Sequence, residues 1–220
     1  MRILERNIGD LRRVRRPEFL RHESCCFGSI DPDDGEPGTT GTFTDAFNRP
    51  DSAVLGNGWA VVAGSFMIQS LEARNESDSP SSLVVQPGLT GATQTVAAGF
   101  TSTDNNASPR FGVVLRYRNA QNYYMCYRQL GGSSTLRLSK VQNGVETVLK
   151  SLGISNPVRD LLSKLSCTTS GTILTLHIDG VVKVSTIDSA FNSGNTGFLM
   201  STLKAVSHRI DNFSATATTP

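Results

Sequence analysis

The sequence lacks the long apolar runs and the concentrated charge that mark several classes of protein. No uninterrupted apolar stretch approaches the roughly 20 residues that a membrane-spanning helix requires, and charged residues make up only 18% of the 220 residues. The formal net charge is +2, and acidic and basic residues nearly balance after residue 36, so no strong positive field attracts nucleic acid. Neither a membrane span nor nucleic-acid binding is expected.

Cysteine and histidine are also scarce, with four and three residues. The cysteines have neither C-x-x-C spacing nor a nearby histidine pair, so a zinc site is not expected. Cys126 and Cys167 fall within strand-like segments, and we interpret them as buried thiols of a protein made in a reducing compartment. Neither a Gly-x-Ser-x-Gly elbow nor a His-Glu-x-x-His pair is present, so two common hydrolase sites are excluded.

Residues 1–30 differ in chemistry from the rest and are interpreted as a basic arm. Seven arginines lie between residues 1 and 21, and these charges interrupt the apolar core that a secretory signal needs. Apolar residues recur at three- and four-residue spacing, which predicts a stripe on a short helix that orders only against a partner. We expect an extended or short-helical arm that anchors the chain. The anchoring residues are Leu4, Ile8, Leu11, Val14, Phe19 and Leu20.

The remaining sequence divides into a linker and one β-rich domain. Residues 31–41 are acidic and rich in Pro and Gly, which is typical of a linker. From residue 42 to residue 217, apolar residues alternate with polar ones, and Asn143-Gly144 and Asp179-Gly180 predict two-residue hairpin turns. About a dozen short strands are enough for two packed sheets. The predicted fold is therefore an all-β, antiparallel, two-sheet jelly-roll sandwich.

Seven passages follow one another along residues 42–217 in an order that resembles a known family. They are Phe43–Arg49 with Leu55-Gly56 and Trp59, Gly112–Tyr117, Asn122–Tyr124, Leu138–Gly144, Ile178–Gly180, Gly194–Gly197 and Asp211–Phe213. They resemble the concanavalin A-like lectin and glucanase superfamily, especially the laminin-G-like sandwich modules of bacteria and phages. The resemblance implies that the first and last strands lie side by side, which would pair Phe43–Phe47 with Ile210–Ala215.

The hairpin of residues 110–130 supplies the candidate ligand-binding residues. If Asn119–Asn122 is its loop, four residues with aromatic rings or positive charges share one side, and such groups hold sugars. These four residues are Arg116, Arg118, Tyr123 and Tyr127; the opposite side would carry Leu115, Tyr117, Tyr124 and Cys126. A one-residue slip in the next hairpin would invert the two sides. The sequence therefore leaves open which tyrosines belong to the core.

Acidic residues suggest a metal site more readily than a catalytic one. Many members of the resembling family bind calcium, so Asp45 and Asp211, on the two terminal strands, are the candidate Ca²⁺ ligands; no other cofactor is expected. Glycoside cleavage needs two carboxylates beside the scissile bond, and no Glu-x-Asp-x-Glu run is present. Glu72, Glu146 and Asp160 are interpreted as surface charges. We therefore expect a protein that is not an enzyme.

The arm and the resemblance together predict a structural protein of a virion, of the tailed-bacteriophage type. Its arm would dock on a capsid or tail protein of the same virion, and its sandwich would be a capsid decoration, fibre or tail adhesin facing a cell-surface glycan. Display as a homo-oligomer would add avidity. The chain would be synthesised in the host cytoplasm and reside in the virion. The alternative is a bacterial carbohydrate-binding module or a glycoside-processing enzyme of the same superfamily.

Overall fold

The computed structural model describes residues 38–77, 81–102, 109–201 and 208–219. Every helix or strand in these ranges is a β-strand, which confirms the predicted all-β class. None of the described residues forms a helix of the length and apolarity needed to cross a membrane. The predicted arm, with its anchoring residues, and residues 31–37 of the predicted linker lie outside the described ranges, so the arm stays a prediction.

The strands form two antiparallel sheets packed face to face. Their bounds are β1 Thr40–Asp45, β2 Ala60–Ala63, β3 Phe66–Gln69, β4 Glu72–Asn75, β5 Ser82–Gln86, β6 Thr93–Ser102, β7 Arg110–Asn119, β8 Asn122–Gln129, β9 Ser134–Gln142, β10 Val145–Ile154, β11 Ser163–Ser170, β12 Ile173–Ile178, β13 Val181–Ile187, β14 Asn195–Ser201 and β15 His208–Thr218. The eight-stranded sheet has the order β13-β12-β11-β6-β15-β4-β3, with β1 also paired to β15. The seven-stranded sheet has the order β10-β9-β8-β7-β14-β5-β2. This is the predicted two-sheet sandwich.

The first and last strands pair as the family resemblance implied. In β1 and β15, Phe43 lies opposite Ala215 and Asp45 lies opposite Phe213. Because β1 begins at Thr40, the last two residues of the predicted linker are already part of the sheet. Trp59 packs beside this strand pair, with its ring centroid 4.8 Å from that of Phe213.

The predicted hairpin turns are confirmed where glycine is needed. Asn143 and Gly144 have φ angles of 53° and 79°, and Asp179 and Gly180 have φ angles of 50° and 80°. Two consecutive positive φ angles define the turn type that suits the twist of a two-stranded hairpin. These turns fix the pairing of β9 with β10 and of β12 with β13.

A disulfide joins the two sheets through the core. Cys126 in β8 and Cys167 in β11 are both fully buried, and they are bonded with a Cα–Cα distance of 6.2 Å. Their predicted burial is confirmed, but the interpretation as free thiols is wrong. The sequence places each cysteine only within a strand-like segment, and their pairing depends on how the two sheets stack against each other.

The seven-stranded sheet is apolar on both faces. Its inner face packs on the eight-stranded sheet through residues such as Val113 and Leu115 of β7. Its outer face, turned away from the other sheet, carries a second cluster of buried apolar and aromatic side chains. The members of this second cluster are Leu83, Val85, Val114, Tyr123, Met125, Tyr127, Val141 and Leu199. This cluster is separate from the main core between the two sheets.

Candidate functional site

The outer face of the seven-stranded sheet contains a pocket of about 300 Å³, which we call the outer-face pocket. Tyr123 and Met125 of β8 and Val141 of β9 form part of its apolar wall. Arg110 at the start of β7 and Glu146 near the start of β10 bring opposite charges to it. The pocket thus combines an aromatic ring, apolar surface and a few polar groups, which is the usual composition of a small-molecule site.

Strand alternation and one glycine position the aromatic residues. Successive side chains of a strand point to opposite faces, so Tyr123, Met125 and Tyr127 of β8 all face outward. Gly112 of β7 lies directly opposite Tyr127. A Cβ atom on Gly112 would lie 2.6 Å from the Cβ of Tyr127, a separation that side chains do not tolerate. Glycine at this position therefore leaves room for Tyr127 over the centre of the sheet.

Arg110 and Glu146 of the pocket lining are held in place by each other and by the buried Tyr127, which is not itself part of the lining. The hydroxyl of Tyr127 donates a hydrogen bond to Oε1 of Glu146 at 2.6 Å, and Nη1 of Arg110 donates to Oε2 at 2.8 Å. The guanidinium carbon of Arg110 also lies 5.3 Å from the centre of the Tyr127 ring, within range of a cation–π contact. Each carboxylate oxygen therefore has its own donor, and the group is preorganised.

The same contacts set the charge states in the pocket. Burial raises the pKa of Glu146, but the hydrogen bonds from Tyr127 and Arg110 outweigh it, so the pKa lies below its ordinary value. Burial, followed by the hydrogen bond to Glu146, raises the pKa of Tyr127. At neutral pH, Glu146 is therefore an ionised acceptor and Tyr127 a neutral donor.

Arg116 does not share a side with Tyr123 and Tyr127, so that prediction is wrong. The pairing of β7 with β8 shifts register between Leu115 and Asn119, and Arg116 takes a φ angle of 49°. A bulge of this kind interrupts the alternation of side chains. It sends Arg116 inward, where only 1% of its surface is exposed, and Tyr117 outward against the second cluster.

The buried guanidinium of Arg116 acts as a strut between loops. It donates hydrogen bonds to the carbonyl oxygens of Phe191 at 2.7 Å, Gly171 at 2.6 Å and Ala92 at 2.5 Å. These carbonyls belong to three chain segments that meet at one end of the sandwich. Its contacts are therefore structural, and it is absent from the lining of the outer-face pocket.

Arg118 also points away from the outer-face pocket. Its guanidinium carbon lies 5.5 Å from the centre of the Phe191 ring, and its Nη2 donates to the side-chain oxygen of Asn192 at 2.5 Å. Of the four predicted ligand residues, the structure thus brings together Tyr123 and Tyr127 on the second cluster. A ligand role for Arg118 stays a prediction.

Sequence reasoning missed Arg110 and Glu146. Alternation had placed Arg116 and Arg118 of β7 on the side of Tyr123 and Tyr127. Arg110 is another even-numbered residue of this strand, so the same alternation predicts that it lies on that side too. Glu146 reaches the site through the ladder Glu146–Val141–Tyr123 across β10, β9 and β8. No local pattern in the sequence reveals this ladder, and the residue was therefore interpreted as a surface charge.

The carboxylate oxygens of Asp45 and Asp211 are engaged by hydrogen bonds and do not fit the expected calcium ion. Those of Asp211 accept from the backbone amide of Asn212 at 2.7 Å and from its side-chain amide at 2.8 Å. Oδ1 of Asp45 accepts hydrogen bonds from the Phe47 amide at 2.7 Å and from Arg49 at 2.8 Å. Its Oδ2 accepts from Trp59 at 2.7 Å and from Arg49 at 3.0 Å. Calcium needs six to eight oxygen ligands, and the described residues contain no group of three or more His, Cys, Asp or Glu that could hold a metal. Asp45 is engaged in an ion pair instead.

Comparison with known proteins identifies the fold. No protein-family model matches the sequence, and no curated protein matches it either. Among solved structures, the carbohydrate-binding module CBM66 from Bacillus subtilis aligns with a TM-score of 0.58 and 19% identity, over 74% of this chain and 94% of that one. The CBM2 module of the evolved Dit of Lactobacillus casei phage J-1 aligns with a TM-score of 0.57 and 11% identity, over 84% and 98%.

An enzyme shares the same architecture. The β-glucanase of Bacillus licheniformis aligns with a TM-score of 0.56 and 13% identity, over 82% of this chain and 98% of that one. At such identities the likeness concerns the arrangement of strands, since one fold supports many functions. The described part of the chain is therefore a jelly-roll sandwich of the concanavalin A-like fold.

Proposed function

We propose that this chain is a non-enzymatic carbohydrate-binding protein that holds its glycan in the outer-face pocket. The observation that carries the proposal is the fixed group of Arg110, Glu146 and Tyr127 beside the ring of Tyr123. Sugars are recognised by aromatic surface together with a few rigid polar groups. The carbohydrate-binding module among the structural neighbours supports the same class of ligand.

The charges in the pocket favour a neutral sugar. Arg110 and Glu146 form an ion pair at 2.8 Å, with side chains that are 33% and 27% exposed. The pair cancels its own charge, but both partners keep hydrogen-bonding capacity toward the pocket. Adjacent sugar hydroxyls can accept from Arg110 and donate to Glu146. Because the pair is already fixed, binding loses little side-chain entropy.

The carboxylates favour a binding role over the glycoside-processing alternative. Glycosidases use two carboxyl groups, one of which must carry a proton at the working pH. Among the described residues that line the outer-face pocket, Glu146 is the one acidic side chain. Its lowered pKa leaves it without a proton to donate at neutral pH. These features support sugar binding without turnover.

Substitutions in the pocket should weaken glycan binding. Glu146→Gln and Arg110→Met each remove one charged hydrogen-bonding partner, so we expect the affinity to fall about 10- to 100-fold, as for hydrogen bonds to charged groups. A glycan array would identify the ligand, and calorimetry with that glycan would measure the affinity. The matched controls are Glu76→Gln and Arg159→Met, at exposed positions outside the pocket lining.

Two results would contradict this assignment. Unchanged affinity in both pocket variants, with the glycan still bound, would place the sugar elsewhere. Release of reducing ends by the wild-type protein, abolished in Glu146→Gln, would instead establish a glycoside-processing enzyme.

The finer part of the proposal is that the sandwich serves as a capsid decoration, fibre or tail adhesin of a virion. The support is the arm sequence, with its apolar stripe, and the phage Dit module among the neighbours. The arm would bind a capsid or tail protein, and several copies in a homo-oligomer would raise avidity for a cell surface without new contacts.

Charged substitutions in the apolar stripe of the arm should abolish anchoring and leave glycan binding intact. In the full chain, the double variant Leu4→Asp and Leu11→Asp should be lost from purified particles, because two charges disrupt the apolar stripe. Its glycan affinity should remain within about twofold of wild type, since none of the described residues that line the outer-face pocket belongs to the arm. Asn7→Asp, off the stripe, is the control. Mass spectrometry of purified particles measures how much of each variant is incorporated. Incorporation of the double variant at the wild-type level would refute the anchoring role.

A further inference from the structure

A second pocket, of about 350 Å³, lies at the end of the sandwich where β8 and β10 end and β11 begins. We call it the end pocket. It shares no lining residue with the outer-face pocket. Its wall is largely apolar and includes Leu161, Leu162 and Ile178, whereas Arg128, Lys183 and Asp179 bring charge to it. This pocket has no part in the proposed glycan site.

Arg128 is a buried cation in this pocket with most of its donors unused. It follows Cys126 on the inward side of β8, and only 4% of its surface is exposed. Its Nη2 donates one hydrogen bond, to the carbonyl oxygen of Ser155, and its buried Nε has no partner. Among the described residues, no carboxylate lies within 4.0 Å of its guanidinium. A guanidinium has five N–H donors, so its bonding capacity is largely unmet.

Arg116, the other buried arginine of this hairpin, donates more hydrogen bonds than Arg128 does. Both arginines are buried on β7 or β8 without a carboxylate partner, but Arg116 donates to three carbonyl oxygens. Burial lowers the pKa of Arg128 to about 10, and the more distant charge of Asp179 offsets only part of that effect. A buried charge without partners is strongly unfavourable. An anion in the pocket would remove this penalty.

The other charges in the pocket limit what the anion can be. Lys183 adds a second positive charge and Asp179 adds a negative one, so the lining carries a net charge of about +1, which matches a monoanion better than a phosphate dianion. Leu161 and Leu162 are 58% and 47% exposed, and such apolar side chains at a pocket mouth favour a ligand with an apolar part.

We propose that the end pocket binds a small organic monocarboxylate with an apolar body. Its carboxylate accepts charge-assisted hydrogen bonds from the guanidinium of Arg128. Its apolar body lies against Leu161, Leu162 and Ile178. The site goes beyond the glycan-binding role and does not depend on it.

The first experiment uses the full wild-type chain and three probes of equal chain length: octanoate, octanol and octylamine. Titration followed by amide chemical shifts should show that millimolar octanoate perturbs residues around Leu161 and Ile178. The neutral alcohol should bind about 10- to 100-fold more weakly, since it lacks the charge-assisted hydrogen bonds, and the cationic amine should not bind. Octanol binding as tightly as octanoate would overturn the proposal.

The second experiment removes the cation. Arg128→Met should weaken octanoate binding about 10- to 100-fold and leave octanol binding unchanged, because only the charged contact is lost. Lys150→Met removes a positive charge from an exposed position of β10 outside the pocket lining and should bind both probes as wild type does. Wild-type affinity for octanoate in Arg128→Met would overturn the assignment. If that variant fails to fold, the three-probe comparison still decides.

Discussion

Replacing Arg116 by methionine should lower the free energy of unfolding by about 3 to 5 kcal/mol. The substitution removes the guanidinium donor from the carbonyl oxygens of Phe191, Gly171 and Ala92, and Ala92 then keeps only the hydroxyl of Thr169 at 3.3 Å. Each buried group left unsatisfied costs about 1 to 3 kcal/mol. Relief from burying a charge offsets part of this loss. The three segments that the guanidinium joins should then separate first on denaturation.

Urea denaturation measures this effect, and Arg118→Met is the matched control. Arg118 lies two residues further along β7, is exposed, and contacts only the loop around Phe191. Exposed contacts of this kind contribute about 1 kcal/mol or less. Equal stability of the two variants would refute the role of Arg116 as a strut. So would a folded Arg116→Met protein of wild-type stability that no longer binds glycan.

Replacing Asp45 by alanine should also lower the free energy of unfolding by about 3 to 5 kcal/mol. Asp45 is 5% exposed, and its carboxylate receives two hydrogen bonds from Arg49 and one from the indole of Trp59. The alanine variant leaves the buried Phe47 amide and the partly buried indole N–H of Trp59 without their acceptor, in addition to the ion pair with Arg49. Each such unsatisfied group costs about 1 to 3 kcal/mol. Thermal or urea denaturation of the variant measures the change, with Asp51→Ala, at an exposed position, as the control.

The pH dependence of stability offers a second test of Asp45. Burial raises its pKa, but the hydrogen bonds from Arg49, Trp59 and Phe47 outweigh it, so the pKa lies below the reference value of 3.8. A carboxyl with a lowered pKa stabilises the fold above its unfolded-state pKa, and that contribution is lost as the pH falls through the folded-state pKa. Wild-type stability should therefore drop below about pH 4, and Asp45→Asn should show a flatter profile.

Calcium distinguishes an ion pair from a metal ligand at this position. Because the donors of Arg49 and Trp59 occupy both carboxylate oxygens, adding calcium or a chelator should leave the melting temperature unchanged. A calcium-dependent rise in melting temperature that Asp45→Asn abolishes would contradict the ion-pair assignment and restore the predicted metal role.

The features that the sequence predicts correctly are those that local patterns determine. Period-two alternation indicates strands, and Asn143-Gly144 and Asp179-Gly180 locate two tight turns because few residue pairs adopt two successive positive φ angles. The pairing of β1 with β15 is not local, and it came from the family resemblance. These signals were sufficient for the all-β class and the two-sheet sandwich.

The errors arise where the answer depends on distant parts of the chain. The bulge at Arg116 reverses the sheet faces on which Arg116 and Tyr117 lie. No turn-forming residue at this position indicates the bulge in the sequence. Glu146 on β10 reaches Tyr127 on β8 and Arg110 on β7 only after the four strands β7 to β10 have paired in the correct register. Alternation predicts the face on which a side chain lies, but not its neighbours on that face. The fold was therefore more predictable than the site.

The antiparallel pairing of β1 with β15 places the entry and exit of the sandwich at one point. Thr40 and Thr218 are register partners, and their hydroxyl oxygens lie 2.9 Å apart. A domain whose two ends lie side by side can be inserted into a surface loop of an unrelated protein without separating the two ends of that loop. The sandwich is therefore suited to insertion by gene fusion into other proteins, whatever their own folds.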